Sequence, residues 1–383
     1  MTNLAAVQYR LAKYAQAEAL HSQTLEIMRR VLGPEHPNTL GSMHLLAMVY
    51  IRLAKYAQAE ALDSQTLEMR RRVLGPEHPD TLGSMNNLAI DYVRQGKYAQ
   101  AESLYSQAVE IKRRMLGPEH PITLNSMNNL ANVYFDEGKY AQAEALYSQT
   151  LEIRRRVLGP EHPITVNSMN SLAFVYSDEG KYAQAEALYS QALEIRRRIL
   201  GPEHPDTLDT LSGFAYMYQR QGKYPQAEMK AAQALAGQRH ALGSDHQDTI
   251  ASAAYLALAY QSQGKFAESE ALAREALEFD RKKQPDNWQR FRAESLLGAS
   301  LAGQKKYAEA ESLLLSGYQG MLQREATIPA YERVELERAG KSIVQLYQHW
   351  GKLHKAAEWR GKLQVSQTPP AANSGGFSVR VPR

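Results

Sequence analysis

The sequence predicts an all-α protein, a solenoid of stacked helical hairpins, and three observations support that prediction. A Lys-Tyr pair recurs every 42 residues along most of the chain. Within each period, apolar residues follow the spacing of one helix face. The motif GPEHP separates one period from the next. Because no single hairpin can bury both of its apolar faces, hairpins of this kind are expected to stack on one another.

The 42-residue period extends from the first residues to beyond residue 310. Lys265-Phe266 continues the series of Lys-Tyr pairs, and Lys306-Tyr307 follows one residue early. The regular pairs lie at 13–14, 55–56, 97–98, 139–140, 181–182 and 223–224.

One period, 121–162, illustrates the predicted hairpin. Pro121 can open a helix, where its missing N–H costs nothing. Met127, Leu130, Ala131 and Tyr134 then fall on one helix face, at i, i+3, i+4 and i+7. Gly138 is expected to end this helix, and a second helix is expected to start near residue 140 and to end at the next GPEHP motif.

Composition excludes several classes of protein. Hydrophobic residues make up 44% of the 383 residues, and the net charge is only +4, which is small for a nucleic-acid-binding protein. The absence of cysteine excludes disulfides and thiolate chemistry. We find no apolar run near the ~20 residues of a membrane span and no secretory signal, so the sequence predicts a cytoplasmic protein.

The histidine of GPEHP recurs in five periods, at 36, 78, 120, 162 and 204. Equivalent atoms in stacked hairpins are separated by at least the helix-packing distance of about 8–10 Å. Metal–nitrogen bonds are about 2 Å long, so these side chains cannot share one ion. A local role is predicted instead, in which each histidine caps or packs against the helix that follows it.

No enzymatic motif is found. The sequence has no GxxxxGK[ST], GxGxxG, GxSxG or HExxH pattern. His240, Asp245 and His246 lie close in sequence, but they overlap a degenerate turn and fall short of the four ligands of a structural zinc site. We therefore predict a protein without catalytic activity, cofactor or metal.

The stretch SMNNLANVYFDEGKYAQAEALYSQTLEI (126–153) resembles a tetratricopeptide repeat. Leu130, Ala131, Tyr134, Ala143 and Tyr147 occupy positions typical of that repeat. The 42-residue length, with NNLA, GKY and LGPEHP, resembles the repeats of kinesin light chains and their bacterial relatives. The resemblance covers about 1–320 and implies a right-handed superhelix whose concave face is lined by the first helix of each hairpin.

That orientation identifies a candidate peptide-binding groove. Asn can donate to and accept from a peptide backbone at once, and an adjacent apolar row can form side-chain pockets. The alternative is that some of these Asn side chains bridge adjacent hairpins, with one of each neighbouring pair doing so. The candidate groove residues are Asn86, Asn125, Asn128, Asn132, Asn170, Ile90, Phe135, Phe174 and Tyr216.

Basic runs such as Arg154-Arg155-Arg156 close the second helices. Cations are favoured near helix C-termini, so we interpret these runs as a solvated face; an acidic partner is the alternative.

The predicted organisation is a truncated first repeat (1–36), five regular repeats (37–246), two divergent hairpins (247–329), capping helices (330–363) and a disordered tail (364–383). The first repeat lacks a polar cap, which suggests self-association or a chain that begins inside a longer array. The part from about 245 to 363 also resembles the ends of bacterial serine/threonine kinases that carry such repeats.

Two functions follow. The favoured one is a non-catalytic scaffold that binds a peptide or partner domain in the concave groove. The alternative is a regulatory or sensory C-terminal segment of a larger signalling enzyme, such as a bacterial serine/threonine kinase, although no kinase motif is present in this chain.

Overall fold

The computed structural model describes residues 2–10, 13–53 and 55–367. These residues form eighteen α-helices and two short 3₁₀ turns, and they contain no β-strand. The helices are α1 (Thr2–Arg10), α2 (Tyr14–Val31), α3 (Pro37–Arg52), α4 (Tyr56–Leu74), α5 (Pro79–Arg94), α6 (Tyr98–Leu116), α7 (Pro121–Glu137), α8 (Tyr140–Val157), α9 (Pro163–Asp178), α10 (Tyr182–Ile199), α11 (Pro205–Gln221), α12 (Tyr224–Ala241), α13 (Gln247–Ser262), α14 (Phe266–Lys283), α15 (Trp288–Gly303), α16 (Tyr307–Leu322), α17 (Val334–His349) and α18 (Leu353–Gln367).

Consecutive helices pair as hairpins, and each hairpin packs on the next, which confirms the predicted α-solenoid. Helices α3 to α12 form five hairpins within 37–246, α13 to α16 form two more, and α17 and α18 form the last. Helix α18 extends to Gln367 and so includes the first four residues of the predicted tail, 364–367. The rest of that tail, 368–383, lies outside the described residues.

The histidine of each GPEHP motif caps the helix that follows it. In α7, the Nδ1 atom of His120 accepts a hydrogen bond of 3.2 Å from the backbone N–H of Ile122, and Pro121 occupies the first helical position. The same capping bond recurs at His36, His78, His162, His204 and His246. The repeated histidine is therefore a helix cap, which is one of the two local roles that the sequence predicted. Gly138 ends α7 in the left-handed conformation, at φ 88°.

A ladder of ion pairs joins adjacent hairpins. In most periods, the lysine that precedes the second helix contacts a glutamate of the preceding hairpin, with N–O distances of 2.5–2.9 Å. The pairs are Lys55–Glu18, Lys97–Glu60, Lys139–Glu102, Lys181–Glu144, Lys265–Glu228 and Lys306–Glu270. Each exposed pair contributes at most about 1 kcal/mol, but the repetition fixes the register between hairpins.

The basic runs also join hairpins, and the interpretation of a solvated face was wrong for their first members. Arg154 and Arg196 are buried, at 4% and 5% exposure. Arg154 donates to the Ser168 hydroxyl at 2.6 Å and to Asn125 Oδ1 at 2.8 Å. The third member points outwards, where Arg156 pairs with Glu119. The buried cations are tolerated because hydrogen-bond acceptors surround them.

The connection between α16 and α17 differs from the others. It is eleven residues long (323–333), whereas the other hairpins are joined by four or five residues. It contains the two 3₁₀ turns, Glu325–Thr327 and Ala330–Glu332. We call residues 323–333 the crossing segment, because it lies against α7, far upstream in the sequence. Ile328 anchors it, fully buried in the core of the last hairpins.

In the part of the chain that the structure describes, no helix combines the length and the apolar character needed to cross a bilayer.

Candidate functional site

A cavity of about 690 Å³ opens between the first helices of successive hairpins. Residues from α5, α7, α9, α11 and α13 line it. On α7, Asn129, Asn132, Val133 and Asp136 follow helical spacing and form a single face, and Phe135 lines the cavity beside them. The first helices therefore line this cavity in the same orientation, as the resemblance implied.

An aromatic ladder forms one wall of the cavity. The ring of Phe174 lies 5.3 Å from that of Phe135 and 4.6 Å from that of Tyr216, measured between centroids. Tyr255 continues the ladder, 5.9 Å from Tyr216. One aromatic side chain from each of α7, α9, α11 and α13 thus contributes to a continuous apolar surface. Stacked and tilted pairs of this kind add about 0.5–1.5 kcal/mol each to the burial of their rings.

The amide side chains mostly bond to neighbouring helices. Asn129 Nδ2 donates to Asn86 Oδ1 at 3.0 Å, between α7 and α5, and Asn170 Nδ2 donates to Thr210 Oγ1 at 3.1 Å. The hydroxyl of Tyr147 donates to Asn132 Oδ1. Each of these amides retains groups that are not used in those bonds. The Asn row therefore contributes to packing between hairpins, which was the alternative raised by the sequence.

Six of the nine candidate groove residues line the cavity: Ile90, Asn132, Phe135, Asn170, Phe174 and Tyr216. Asn86, Asn125 and Asn128 do not line it. In α7 the lining position is Asn129 rather than Asn128, because the face that includes Asn132 and Asp136 continues at Asn129. Contact between any of these side chains and a peptide stays a prediction.

The crossing segment closes one side of the cavity. The ring of Tyr331 stacks on Phe135 at a centroid distance of 4.8 Å and meets Phe174 edge-on at 5.4 Å. Ala330 lies against Gly138, where an added Cβ would come within 3.0 Å of the Ala330 Cβ. The carbonyl oxygen of Ala326 lies so close to Gly96 that no side chain fits there. The segment thus contacts the hairpin turns of both the α5/α6 and the α7/α8 pairs.

A buried ion pair holds the end of the crossing segment. Glu332 Oε2 lies 3.5 Å from Arg292 Nη1, on α15. Burial raises the pKa of Glu332, although Arg292 opposes that rise. Desolvation acts to lower the pKa of Arg292, but the carboxylates of Glu332 and Glu335 raise it on balance. The guanidinium therefore keeps its charge next to the wall of the cavity.

Three carboxylates line the cavity, Asp136, Asp209 and Asp248, together with one cationic side chain, Arg94. Burial raises the pKa of Asp136 to about 7, and Arg94 offsets only part of that effect. Asp209 Oδ2 lies 3.7 Å from Arg196 Nη1. The wall of the cavity therefore has an excess of carboxylates.

The lining also includes unused hydrogen-bond acceptors. Gln238, on α12, is only 2% exposed, and its Oε1 atom has no hydrogen-bond partner among the described residues. The Oδ1 atom of Asn170 is likewise buried and unpartnered in the described part of the chain. Buried polar atoms without partners are uncommon in native proteins and call for an explanation.

The sequence reasoning missed four of these features. Tyr331, Asp209 and Gln238 were not candidates, and Tyr255 was not among the selected groove residues. The unusual length of the connection 323–333 could have identified Tyr331, since long connections often carry function.

Within the described residues, no group of three or more His, Asp or Glu side chains is arranged to hold a metal ion.

Comparisons with known proteins agree with this architecture. A family model described as Tetratricopeptide repeat matches six overlapping windows, 1–72, 41–114, 84–155, 122–197, 167–240 and 208–282. No curated protein matches the chain.

Solved structures show similar folds. A crystal structure of a Podosopora anserina putative kinesin light chain, with nearly identical TPR-like repeats, is 33% identical and covers 54% of this chain and 99% of its own, with a TM-score of 0.44. BtubC (BKLC) from P. vanneervenii is 24% identical over 60% of this chain and 92% of its own, with a TM-score of 0.50. A Rap protein complexed with competence and sporulation factor is 15% identical and covers 95% of each chain, with a TM-score of 0.63 that indicates a shared fold alone. The family model spans most of the chain, so this protein belongs to the tetratricopeptide repeat family.

Proposed function

We propose that this protein is a non-catalytic scaffold that binds an extended peptide, or an exposed segment of a partner domain, along the cavity lined by its first helices. The observation that supports this most is the aromatic ladder of Phe135, Phe174, Tyr216 and Tyr255 beside amide side chains that retain unused hydrogen-bonding groups. Apolar walls with a few convergent polar groups are typical of binding sites.

The cavity is already formed, so binding requires little rearrangement. Ring stacking and inter-hairpin hydrogen bonds hold the lining side chains in place. Pre-organisation reduces the conformational entropy that binding would otherwise cost. We propose that Asn132 and Asn170 bond to the peptide backbone while the rings form side-chain pockets. Asn86, Asn125 and Asn128 would contact only a peptide long enough to extend beyond the cavity.

Selection of binding peptides tests this function. A displayed library of random extended peptides would be selected on the native chain, and dissociation constants would then be measured for two variants. Ser171→Trp places a large ring in the cavity, because Ser171 lines it. The matched control is Ser190→Trp, at an exposed position on α10 outside that lining.

We expect the selected peptides to bind the native chain and Ser190→Trp equally and to bind Ser171→Trp at least about tenfold more weakly. A tenfold difference in dissociation constant corresponds to about 1.4 kcal/mol of binding free energy. That is less than the binding free energy usually lost when one well-buried anchor residue is removed. Equal binding by both tryptophan variants would show that the peptides bind elsewhere, and the proposal would then be wrong.

The alternative is a regulatory segment of a larger signalling enzyme, such as a bacterial serine/threonine kinase. It rests on the resemblance of residues 245–363 to the ends of such kinases. The mass of the native polypeptide, measured by blotting in its source cells, tests it. A band near 43.0 kDa favours the stand-alone scaffold, whereas a much larger band favours the regulatory segment.

The proposal has three further parts: the protein is cytoplasmic, it does not bind nucleic acid, and it self-associates through the first hairpin.

A further inference from the structure

We infer that the groove recognises a basic side chain in its peptide, and that the guanidinium group of an arginine is the group it fits. This inference rests on the proposed peptide-binding function and names the chemistry of the ligand. Three observations support it: the charge of the lining, the unused acceptors, and the aromatic ladder beside them.

The charge of the lining favours a cation. Asp136, Asp209 and Asp248 line the cavity, and Arg94 is the one cation of that lining in the described part of the chain. Arg196 and Arg292 lie near the cavity but outside its lining. Arg196 Nη1 lies 3.7 Å from Asp209 Oδ2 and forms an ion pair with it. The same nitrogen also donates hydrogen bonds to Thr210 Oγ1 and to the backbone carbonyl of Asp206, so Asp209 holds only a share of this cation. The Asp209 side chain is 73% exposed and can therefore accept hydrogen bonds from a ligand.

The buried side-chain atoms of the lining that lack a partner among the described residues are all acceptors. Gln238 Oε1 and Asn170 Oδ1 are acceptors, buried and without partners among the described residues. A carboxylate is likewise an acceptor only. A ligand that satisfies these atoms must supply several N–H or O–H donors. The guanidinium group supplies five N–H donors and no acceptor, which suits a cavity with acceptors on more than one wall.

The aromatic ladder distinguishes arginine from lysine. A guanidinium group is planar and stacks on aromatic faces, while an ammonium group is compact and strongly hydrated. The rings of Phe174, Tyr216 and Tyr255 lie in the same lining as Asp209 and Gln238. An arginine side chain can therefore stack on a ring and donate hydrogen bonds to those acceptors at once.

The pH dependence of binding gives a second readout. Asp136 is faced by Arg94 and by the tyrosines Tyr98, Tyr147 and Tyr331. The pKa of Asp136 is about 7 in the empty cavity, so this side chain loses its proton as the pH rises from 6 to 8. A bound cation favours the charged carboxylate. Affinity for a basic peptide should therefore increase over that range, while affinity for a neutral analogue should not.

A positional-scanning hexapeptide library tests the inference on the full chain. Each pool fixes one position as Arg, Lys, Gln or Glu and randomises the others. We expect the best Arg pool to bind about tenfold more tightly than the matching Gln pool, as loss of a charge-assisted contact should. Asp209→Asn should remove most of that preference, while Glu110→Gln, at an exposed position outside the lining, should leave it unchanged.

Each outcome is decisive. If pools bind but the Gln or Glu pool equals or exceeds the Arg pool, the inference is wrong and the peptide-binding function stands. If no pool binds, both the function and the inference are overturned. If Asp209→Asn unfolds, the pH dependence of the native chain between pH 6 and 8 decides the matter, and a flat profile for the Arg pool contradicts the inference.

Discussion

Two aspartates occupy core positions that are apolar or aromatic in other hairpins, and they give the sharpest stability prediction. Asp91 aligns with Val49, Val133 and Val175, one period or two away. Asp63 occupies the position that is tyrosine at 105, 147 and 189. Their exposures are 0% and 1%. We predict that Asp91→Val stabilises the protein above about pH 5.

Neighbouring side chains supply too few hydrogen bonds to offset the cost of burying the Asp91 and Asp63 carboxyls. No other described residue hydrogen-bonds to either carboxylate oxygen of Asp91 or to the Oδ2 atom of Asp63, so a protonated Asp91 can bond only to Asp63. Asp63 Oδ1 lies 3.4 Å from His44 Nδ1. Burial and then the neighbouring Asp63 raise the pKa of Asp91 from 3.8 to about 8. Near neutral pH, Asp91 is therefore largely protonated in the folded state.

The size of the effect follows from that pKa. Below about pH 4 the carboxyl is protonated in both the folded and the unfolded state, so it makes stability no more pH-dependent there. As the pH rises from about 4 to 8, the unfolded state loses the proton and the folded state keeps it, so the free energy of unfolding falls. At about 1.36 kcal/mol per pH unit, the accumulated cost at pH 7 is about 4 kcal/mol. Asp91→Val removes that cost but also loses the contact with Asp63, so we expect a gain of about 3 kcal/mol.

Urea unfolding at pH 5 and at pH 7.5 measures the effect. The native chain should lose stability between the two values, and Asp91→Val should lose much less. The reverse substitution, Val133→Asp, is a matched control in the hairpin that follows, and it should introduce a similar loss. If Asp91→Val is less stable than the native chain at pH 7.5, or if both lose the same stability between the two pH values, the reasoning is refuted.

Three further substitutions test the fold. Tyr331→Ala should lower the free energy of unfolding by about 2–4 kcal/mol, because it removes a ring stacked on the aromatic ladder; no change in urea midpoint would mean that the crossing segment does not pack there. His120→Ala should cost about 1 kcal/mol by removing a helix cap, and retained stability would contradict the capping role. Gly96→Ala should lower the free energy of unfolding clearly more than Gly180→Ala does. Both glycines have positive φ, but only Gly96 lies against the Ala326 carbonyl. Equal losses of stability would contradict that contact.

Local patterns were enough to predict most of the architecture. The apolar face of 121–162, the proline start and the glycine stop together determine a hairpin, because each acts within one or two helical turns. The spacing of the GPEHP histidine excluded a shared metal, and its place before a helix-opening proline predicted that it caps or packs. Ile90, Phe135, Phe174 and Tyr216 were predicted as groove residues because the resemblance assigns the first helices to the concave face, and the fixed repeat then determines which residues share that face.

Features that depend on the accumulated curvature of the array were not predictable in this way. The contact between Tyr331 and Phe135 joins residues far apart in the sequence, and it arises from how successive hairpins rotate relative to one another. Gln238 was missed for a local reason: it lies one period after Arg196, at the buried position that opens the basic runs, and that position was interpreted as part of a solvated face. The Asn side chains were ambiguous for a different reason, because one amide can serve a neighbouring helix and a ligand equally well.

The most direct test of the central claim is a crystal structure of the full chain with a peptide selected on it. Our account predicts an extended peptide in the cavity, in contact with Phe174 and Tyr216, with backbone hydrogen bonds to Asn132 or Asn170. A peptide bound on the second helices, or at the end of the array with the cavity empty, would contradict it.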